Sequence, residues 1–188
     1  MIFICMSGAS GAIYGIKLLK FLRSRDIETA LCISENAKKI IEIETPYSLE
    51  EVKKLSNYYY ENDDLLSPFS SGSNLFDDAV IVPSSMKTIG SIANGIYSNL
   101  TNRVAHICLK EGRKLLLVPR ETPLSLIDLK NLLIMKEAGA TVLPASPGFY
   151  GHPKSIDDLV NFIVGKILDQ LGIENNLLKR WNSERFVE

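Results

Sequence analysis

Several features that would mark a metalloenzyme, a membrane protein or a nucleic-acid-binding protein are scarce in this sequence of 188 residues. It has two histidines, His106 and His152, too far apart to form a local zinc-binding pair. Its formal charge of −1 argues against a basic surface for nucleic acid. No apolar run approaches the roughly 18 residues of a membrane span. Its apolar start, Met1 to Met6, lacks the basic segment of a signal peptide.

Cysteine is also scarce, and its spacing is uninformative for disulfides. Cys5, Cys32 and Cys108 are widely separated and odd in number, which fits reduced thiols. We therefore expect a cytoplasmic protein without a metal. A cysteine–histidine pair brought together only by the fold stays open.

What the sequence does contain is an alternation of short apolar runs with helical patterns. The strand candidates read as continuous apolar segments, which is typical of parallel strands covered on both faces. They are Ile2–Met6, Thr29–Ile33, 79–82, 115–118 and 141–143. Helical patterns follow them, and in the last one apolar residues from Ile156 to Leu171 recur at helical spacing. This alternation predicts an α/β fold, a Rossmann-like doubly wound parallel sheet flanked by helices.

Two polar segments interrupt this pattern. One is 57–73, which ends in the serine/glycine patch Ser70-Ser71-Gly72-Ser73, and the other is the tail 172–188, which carries Trp181. Neither resembles a linker, so we expect a single domain over residues 1–188 with 172–188 as a C-terminal tail.

The first candidate binding motif follows the first strand candidate and reads MSGASGA over residues 6–12. Small residues at the start of a helix let a ligand approach the backbone N–H groups, which suits a phosphate. It matches neither the dinucleotide fingerprint nor the P-loop. A simple tight turn is an equally good interpretation.

Two further candidate motifs follow later strands. Pro83-Ser84-Ser85-Met86-Lys87-Thr88 opens a helix with hydroxyls and a cation, which suits an anion, although a helix N-cap would use the same residues. Val118-Pro119-Arg120-Glu121-Thr122-Pro123 presents an arginine fork beside a carboxylate. A surface ion pair is the alternative there.

Two helices add cations, and the turn after the last strand candidate adds an aromatic residue. Arg103, His106 and Lys110 share one helix face, and Tyr150 follows the last strand candidate with Lys166 downstream. Because the carboxyl ends of parallel strands lie on one side of a sheet, we expect the hydroxyls, Lys87, Arg120 and Tyr150 to converge on one crevice. That convergence predicts a phosphorylated ligand.

Taken in order, these blocks resemble the UbiX-type flavin prenyltransferases, within the wider family of flavoproteins that includes cysteine decarboxylases. The resemblance spans Ile4 to Trp181. The stretches that carry it are SGASGAIYG at 7–15, SSGS at 70–73, LKEGRKLLLVPRETPLSLIDL at 109–129, PGFYGHPKSIDDLV at 147–160 and ILDQLGI at 167–173.

The resemblance implies an FMN-binding transferase. Such enzymes move a dimethylallyl group from dimethylallyl phosphate to N5 and then C6 of reduced FMN, without a metal. The prenylated FMN passes to a UbiD-type decarboxylase. Members form homo-oligomers, commonly dodecamers, with active sites at subunit junctions, and have older descriptions as aromatic-acid decarboxylases.

Site residues follow from the same resemblance. It implies three groups, and Ser10, Glu44 and Glu121 form the first, which would be catalytic. The second would bind FMN: Gly8, Ala9, Ser10, Ser34, Ser85, Met86, Lys87, Thr88 and Arg120. The third would bind dimethylallyl phosphate: Lys110, Arg120, Glu121, Tyr150 and Lys166.

The chain departs from the family pattern at two of the positions compared. Lys166 stands where an arginine is common, which keeps the charge and loses the bidentate fork. Leu65 stands where the better-known bacterial enzymes often have a tryptophan that lines the prenyl pocket, so an aromatic face for a cation is lost.

Three other functions stay open at this point. A flavin-dependent cysteine decarboxylase would share the fold, but that branch uses a histidine near the first helix and this chain has none before His106. A non-catalytic FMN-binding subunit of an aromatic-acid decarboxylase is the second. An NAD-dependent enzyme is the third, and the missing dinucleotide fingerprint counts against it.

Overall fold

A computed structural model describes residues 1–181, in two compact units. The first runs from Met1 to Ala145, and the second begins at Ser146. The expectation of a single domain stays a prediction. Residues 182–188 of the expected tail lie outside the described residues.

The first unit contains six strands and six α-helices. The strands are β1 (Ile2–Met6), β2 (Thr29–Ile33), β3 (Tyr58–Glu61), β4 (Asp78–Ser84), β5 (Lys114–Pro119) and β6 (Thr141–Val142). The helices are α1 (Ala12–Ser24), α2 (Glu35–Glu44), α3 (Leu49–Lys53), α4 (Met86–Ala93), α5 (Leu100–Glu111) and α6 (Leu126–Glu137). A single 3-10 turn, Pro68–Ser70, precedes β4.

All six strands form one parallel sheet in the order β3-β2-β1-β4-β5-β6. The chain winds outward from β1 in one direction and then, from β4, in the other. This arrangement confirms the predicted doubly wound α/β fold. It also creates a switch point between β1 and β4, the place where such sheets bind ligands at the carboxyl ends of their strands.

Helices cover both faces of this sheet, and successive buried residues of each strand alternate between them. Phe3 and Ile81 belong to the cluster that packs with α4 and α5. On α1, Gly15 lies so close to β4 that a Cβ there would sit 2.7 Å from the carbonyl oxygen of Val82. The fully apolar strands follow from this two-sided burial.

The strands differ from the sequence prediction at two points. The polar segment 57–73 contains β3, an edge strand, which the apolar-run criterion missed because Tyr58 is 46% exposed. The strand β4 also continues through Pro83 to Ser84, whereas the predicted run ended at residue 82.

The second unit is built around α7 (Ile156–Leu171), whose N-terminus is closed by a capping box of Ser155 and Asp158. The predicted apolar stripe is buried in the middle of the helix, at Val160, Ile163 and Ile167, but its first residue is exposed. Among the helices of residues 1–181, none is long and apolar enough to cross a membrane.

Candidate functional site

A cavity of about 460 Å³ opens at the switch point of the sheet; we call it the polar cavity. It lies beyond the carboxyl ends of β1, β2, β3 and β4, and is lined by hydroxyls, amides and small residues. They are Ser7, Gly8, Ser34, Glu35, Asn36, Asn62, Ser85, Lys87, Thr88, Ser91, Asn99, Thr101 and Asn102. Five residues predicted to bind the cofactor are among them: Gly8, Ser34, Ser85, Lys87 and Thr88.

Three helices begin at this cavity, each with its N-cap residue in the wall. Ser34 caps α2 and accepts a hydrogen bond from Ala37 N–H at 3.3 Å. Ser85 caps α4 by accepting from Thr88 N–H at 3.2 Å. Asn99 caps α5 in the same way. Because each helix N-terminus carries partial positive charge and spare N–H groups, the cavity is suited to an anion.

Ser7 links the first and second binding turns. Its side chain is buried, donates to the carbonyl oxygen of Pro83 at 3.0 Å and accepts from Ser85 N–H at 2.7 Å. The Ser7 N–H donates to the same Pro83 carbonyl at 3.1 Å. These bonds hold the turn after β1 against the turn after β4, which confirms that the two motifs meet.

Gly8 has a steric reason to be glycine. A Cβ at this position would lie 2.7 Å from Cβ of Asn36, which is closer than such atoms approach in proteins. Ala9, the next residue, is buried, and Ser10 after it is exposed. The backbone of this turn is therefore open to a ligand while its small side chains stay clear.

Met86 differs from its neighbours Ser85, Lys87 and Thr88, with which it was predicted to bind FMN. It is the first residue of α4, and its side chain packs against the apolar core instead of lining the cavity. Its part in an anion site is limited to the backbone at the start of the helix.

Asn62 was missed by the sequence reasoning. Its side-chain oxygen accepts from Thr101 Oγ1 at 2.6 Å, from Thr101 N–H at 3.2 Å and from Cys32 Sγ at 3.3 Å. These three bonds occupy the oxygen and fix the amide, so its NH₂ group is the part left to serve a ligand in the cavity. Asn62 directly follows β3, and polar residues after a strand end are candidates for a binding site. Because β3 was not predicted, the position of Asn62 could not be recognised.

A second group of predicted residues gathers at the start of α1. Gly11, with φ of 102°, has no side chain to cap this helix, and its N–H donates instead to Glu44 Oε2 at 2.7 Å. The Tyr14 ring lies beside Gly11. Burial raises the pKa of Tyr14, and the nearby positive charge of Arg120 partly offsets that rise. Thus Glu44 and Arg120 both lie near the N-terminus of α1.

Arg120 begins the segment 120–125, which we call the arginine loop. Its Nε is buried and finds no hydrogen-bond acceptor among residues 1–181. A buried donor without an acceptor costs about 1–3 kcal/mol, so this nitrogen is suited to receive a ligand oxygen. Glu121, the next residue, is exposed, and within residues 1–181 its carboxylate accepts only from the adjacent Thr122 N–H, at 3.2 Å.

On the polar face of α5, two of the three residues, Arg103 and His106, make contacts within the fold. Arg103 Nε donates to the carbonyl oxygen of Ser70 at 2.9 Å, and His106 stacks on Tyr97 with ring centroids 4.0 Å apart. Desolvation, followed by the charges of Arg103 and Lys110, lowers the pKa of His106.

Lys110 lies beside the serine/glycine patch and does not line the polar cavity. Its Nζ pairs with Glu111 Oε1 at 2.8 Å, and both side chains approach Gly72 so closely that a Cβ there would meet them. The structure therefore groups Lys110 with the predicted SSGS segment.

Two predicted residues belong to the second unit. Tyr150 lines a cavity of about 300 Å³ and makes edge contacts with Phe162 and Trp181. Lys166 on α7 is partly exposed, and its Nζ lies 3.8 Å from Asp169 Oδ2. In residues 1–181 no group of three or more histidine, cysteine or acidic side chains is arranged to hold a metal ion.

Comparison with known proteins assigns the family. The model of the flavoprotein family matches residues 1–168. The flavin prenyltransferase UbiX of Methanocaldococcus jannaschii is 52% identical, over 97% of this chain and 98% of its own length. This chain belongs to the flavoproteins, among the UbiX flavin prenyltransferases.

Two solved structures of UbiX-type proteins share its architecture. One, AnUbiX in complex with FMN and dimethylallyl pyrophosphate, is 42% identical, covers 97% of both chains and superposes with a TM-score of 0.95. The other, a dodecameric FMN-dependent UbiX-like decarboxylase from Escherichia coli O157:H7, is 43% identical, covers 97% of this chain and all of that chain, and has a TM-score of 0.94.

Proposed function

We propose that this UbiX-family protein is a metal-independent flavin prenyltransferase that moves the dimethylallyl group of dimethylallyl phosphate to N5 and C6 of reduced FMN. The observation that supports it most directly is the polar cavity, where three helices begin at one switch point. The donor in the related complex is dimethylallyl pyrophosphate, so either phosphate ester is a candidate for this chain.

The residues present fit FMN. A phosphomonoester needs N–H and hydroxyl donors, which Ser34, Ser85 and Thr88 supply together with the starts of their helices. Lys87 adds the only lysine or arginine charge in the cavity wall as described over residues 1–181. The Ser84 hydroxyl, fully buried at the end of β4, has no partner among these residues.

The first turn and α1 would hold the other end of the cofactor. Gly8, Ala9 and Ser10 offer an open backbone, and the Glu44 carboxylate is fixed by Gly11 N–H at the start of α1. In the proposal Ser10 and Glu44 lie at the reacting edge, where the exposed Glu44 carboxylate can hold or release a proton. When bound, reduced FMN supplies the nucleophile, so no side chain has to serve as one.

The donor phosphate would be held by cations. Arg120 has a free buried N–H, and Lys110 and Lys166 each carry a charge whose partner carboxylate is only partly buried. Such cations stabilise the negative charge that grows on a leaving phosphate. Tyr150 would donate its hydroxyl to the same group. Glu121, exposed beside Arg120, is a second candidate for proton transfer.

The setting of the reaction belongs to the same proposal. The product would pass to a UbiD-type decarboxylase in the cytoplasm. The enzyme itself would be a homo-oligomer, as the dodecameric relative is.

The decisive experiment is to incubate the protein with reduced FMN and dimethylallyl phosphate without oxygen and to measure the mass of the bound flavin. The proposal predicts a gain of one dimethylallyl unit, with the metal chelator EDTA making no difference. FMN that binds but keeps its mass with both donor esters would contradict the transferase and favour a non-catalytic FMN-binding subunit. Decarboxylation of a cysteine-ending peptide would favour the cysteine decarboxylase.

A further inference from the structure

The described part of the tail, residues 172–181, packs closely against α7. A Cβ on Gly165 would overlap the side chain of Leu178. Asn175 is buried, and its amide NH₂ group donates to Asp169 Oδ1 at 3.1 Å and to the carbonyl oxygen of Gly165 at 3.4 Å. These contacts make the tail an integral part of the second unit and hold it against the C-terminal half of α7.

Asp169, in the last turn of α7, receives a two-pronged contact from the tail. Arg180 donates to both of its oxygens, from Nη1 to Oδ2 at 3.1 Å and from Nη2 to Oδ1 at 2.8 Å. The hydrogen bond from Arg180 is the largest of the effects that lower the pKa of Asp169, so the carboxylate is ionised at neutral pH. A carboxylate is unfavourable at the C-terminal end of a helix, and the paired guanidinium compensates for its charge.

Lys166 is the third charged group at this place. It lies three residues before Asp169 on α7, and its Nζ is 3.8 Å from Asp169 Oδ2, which is beyond hydrogen-bond distance. Among residues 1–181 no other carboxylate forms an ion pair with Lys166. Because Arg180 already neutralises Asp169, the lysine is only weakly attracted to this carboxylate and keeps its three N–H donors for a ligand.

We propose that Arg180 is a positioning residue for the prenyl donor: by pairing with Asp169, it keeps Lys166 available to bind the donor phosphate. The inference rests on the proposed function, in which Lys166 binds that phosphate. Without Arg180, Asp169 and Lys166 form an ion pair at helical spacing, and the phosphate has to displace a carboxylate. With Arg180, the three groups together carry one positive charge, which attracts an anion.

Trp181 extends the contact of the tail to Tyr150, the other donor-binding residue predicted in this unit. The two rings meet edge to face, with their centroids 5.4 Å apart. Consecutive tail residues therefore contact Tyr150 directly and approach Lys166 through Asp169. We expect the tail to influence the binding of the donor and not that of FMN, whose proposed site, the polar cavity, is lined by residues of the first unit.

Calorimetric titration of the complex with oxidised FMN by dimethylallyl phosphate measures donor binding without turnover, because the proposed nucleophile is the reduced flavin. Arg180→Ala should raise the Kd of the donor about fivefold, as expected for a partly exposed ion pair that now competes with the phosphate. The double variant Arg180→Ala/Asp169→Asn also removes the competing carboxylate and should recover the Kd of the parent. FMN affinity should stay the same in both variants.

A second comparison shows whether Arg180 acts through Lys166. In a Lys166→Ala protein, adding Arg180→Ala should weaken donor binding no further, because the group that Arg180 keeps available is gone. A general effect of lost positive charge would persist in that background. Arg25→Ala, at an exposed arginine at the end of α1 in the first unit, is the matched control and should bind the donor as the parent does.

The outcomes separate this inference from the proposed function. Unchanged donor binding in Arg180→Ala overturns the inference. A double variant that stays weak also overturns it, since Arg180 would then act only by holding the tail, and so does a further loss in the Lys166→Ala background. The expected pattern of Kd values would support the role of Arg180 even if the mass of the bound flavin did not change, and that mass alone decides on prenyl transfer.

Discussion

The polar cavity and the arginine loop both lie just past the carboxyl ends of strands in the same sheet. They differ in how far their side chains are already held by hydrogen bonds within one chain. In the cavity, Ser7, Ser34 and Ser85 are already held by hydrogen bonds to backbone groups. In the loop, Glu121 bonds only to its neighbour and Arg120 Nε has no acceptor among residues 1–181. A single chain thus preorganises the polar cavity, the proposed binding site of FMN. The arginine loop, part of the proposed binding site of the donor phosphate, keeps a hydrogen-bond donor that has no acceptor in residues 1–181.

A substitution at Gly8 should have the largest effect on FMN binding in the polar cavity. In Gly8→Ala the new Cβ would press on Cβ of Asn36, and neither atom is the end of a flexible side chain. Overpacking of this kind costs up to about 3 kcal/mol. If the turn relieves this strain by leaving the position that FMN requires, the same free energy lowers FMN affinity by up to about a hundredfold. Fluorescence titration with FMN measures it.

Gly151→Ala is the matched control, since a Cβ there meets only ordinary contacts at 3.7 Å and beyond. It should bind FMN as the parent does. Equal FMN affinity in the Gly8 and Gly151 variants would show that close approach at Gly8 is unimportant.

Lys166→Ala should weaken the binding of dimethylallyl phosphate and leave the binding of FMN unchanged. Losing one charged hydrogen bond to the phosphate costs about 1.5–3 kcal/mol, or about one to two powers of ten in the KM for dimethylallyl phosphate. FMN affinity should stay unchanged, and Lys166→Arg should keep activity or improve it. Steady-state kinetics at saturating reduced FMN provide the measurement.

Lys39→Ala, at an exposed lysine of α2, controls for general loss of positive charge and should change neither constant. If Lys166→Ala prenylates with unchanged kinetics, its assignment is wrong. If the variant loses FMN as well, Lys166 supports the flavin or the fold, and the phosphate contacts fall to Lys110 and Arg120.

Asn62→Asp sharpens the comparison within the cavity. Aspartate can still accept from Thr101 but lacks the NH₂ donor, and it adds a negative charge near an expected phosphate. We expect FMN affinity to fall about tenfold, as for the loss of one hydrogen bond to a charged group. The matched variant Asn57→Asp keeps an acceptor for Thr29 N–H outside the cavity and should leave FMN binding intact. Equal effects from both would remove Asn62 from the site.

The smallest effect is expected from the helix caps. Ser34→Ala and Ser125→Ala each remove an N-cap, which costs about 0.5–2 kcal/mol of stability, or a few degrees in Tm. Only Ser34→Ala should also weaken FMN binding, because Ser34 lies in the wall of the polar cavity and Ser125 does not. Calorimetry gives the first quantity and titration the second. A matching loss of FMN in both variants would mean that the cap acts through stability alone.

The sheet, and some of the residues that line the polar cavity, were predictable from the sequence for physical reasons. Five short apolar runs located β1, β2, β4, β5 and β6, and small or hydroxyl residues after two strand ends located Gly8 and Ser85, whereas Ser34 came only from the family resemblance. These signals are local, because burial on both faces fixes the strand composition and helix starts fix the cap residues.

The features that the sequence did not predict depend on contacts between residues that are distant in sequence. Edge strand β3 carries exposed tyrosines, so it has no apolar signature, and Asn62 was missed along with it. Helix periodicity placed Arg103 and Lys110 on one face, but it could not show that backbone carbonyls and Glu111 engage them. The relation of Tyr150 and Lys166 to the arginine loop stays a prediction.

The three buried cysteines have a consequence for a protein that handles a reduced flavin. Burial raises the pKa of Cys108 to about 12 and that of Cys5 well above its ordinary value, so both stay as thiols at neutral pH. Reduced flavins react with oxygen to give peroxide, and peroxide attacks thiolates far more readily than buried thiols. The core therefore tolerates the oxidant that its own proposed substrate can generate, and aerobic exposure should consume the flavin before it damages the protein.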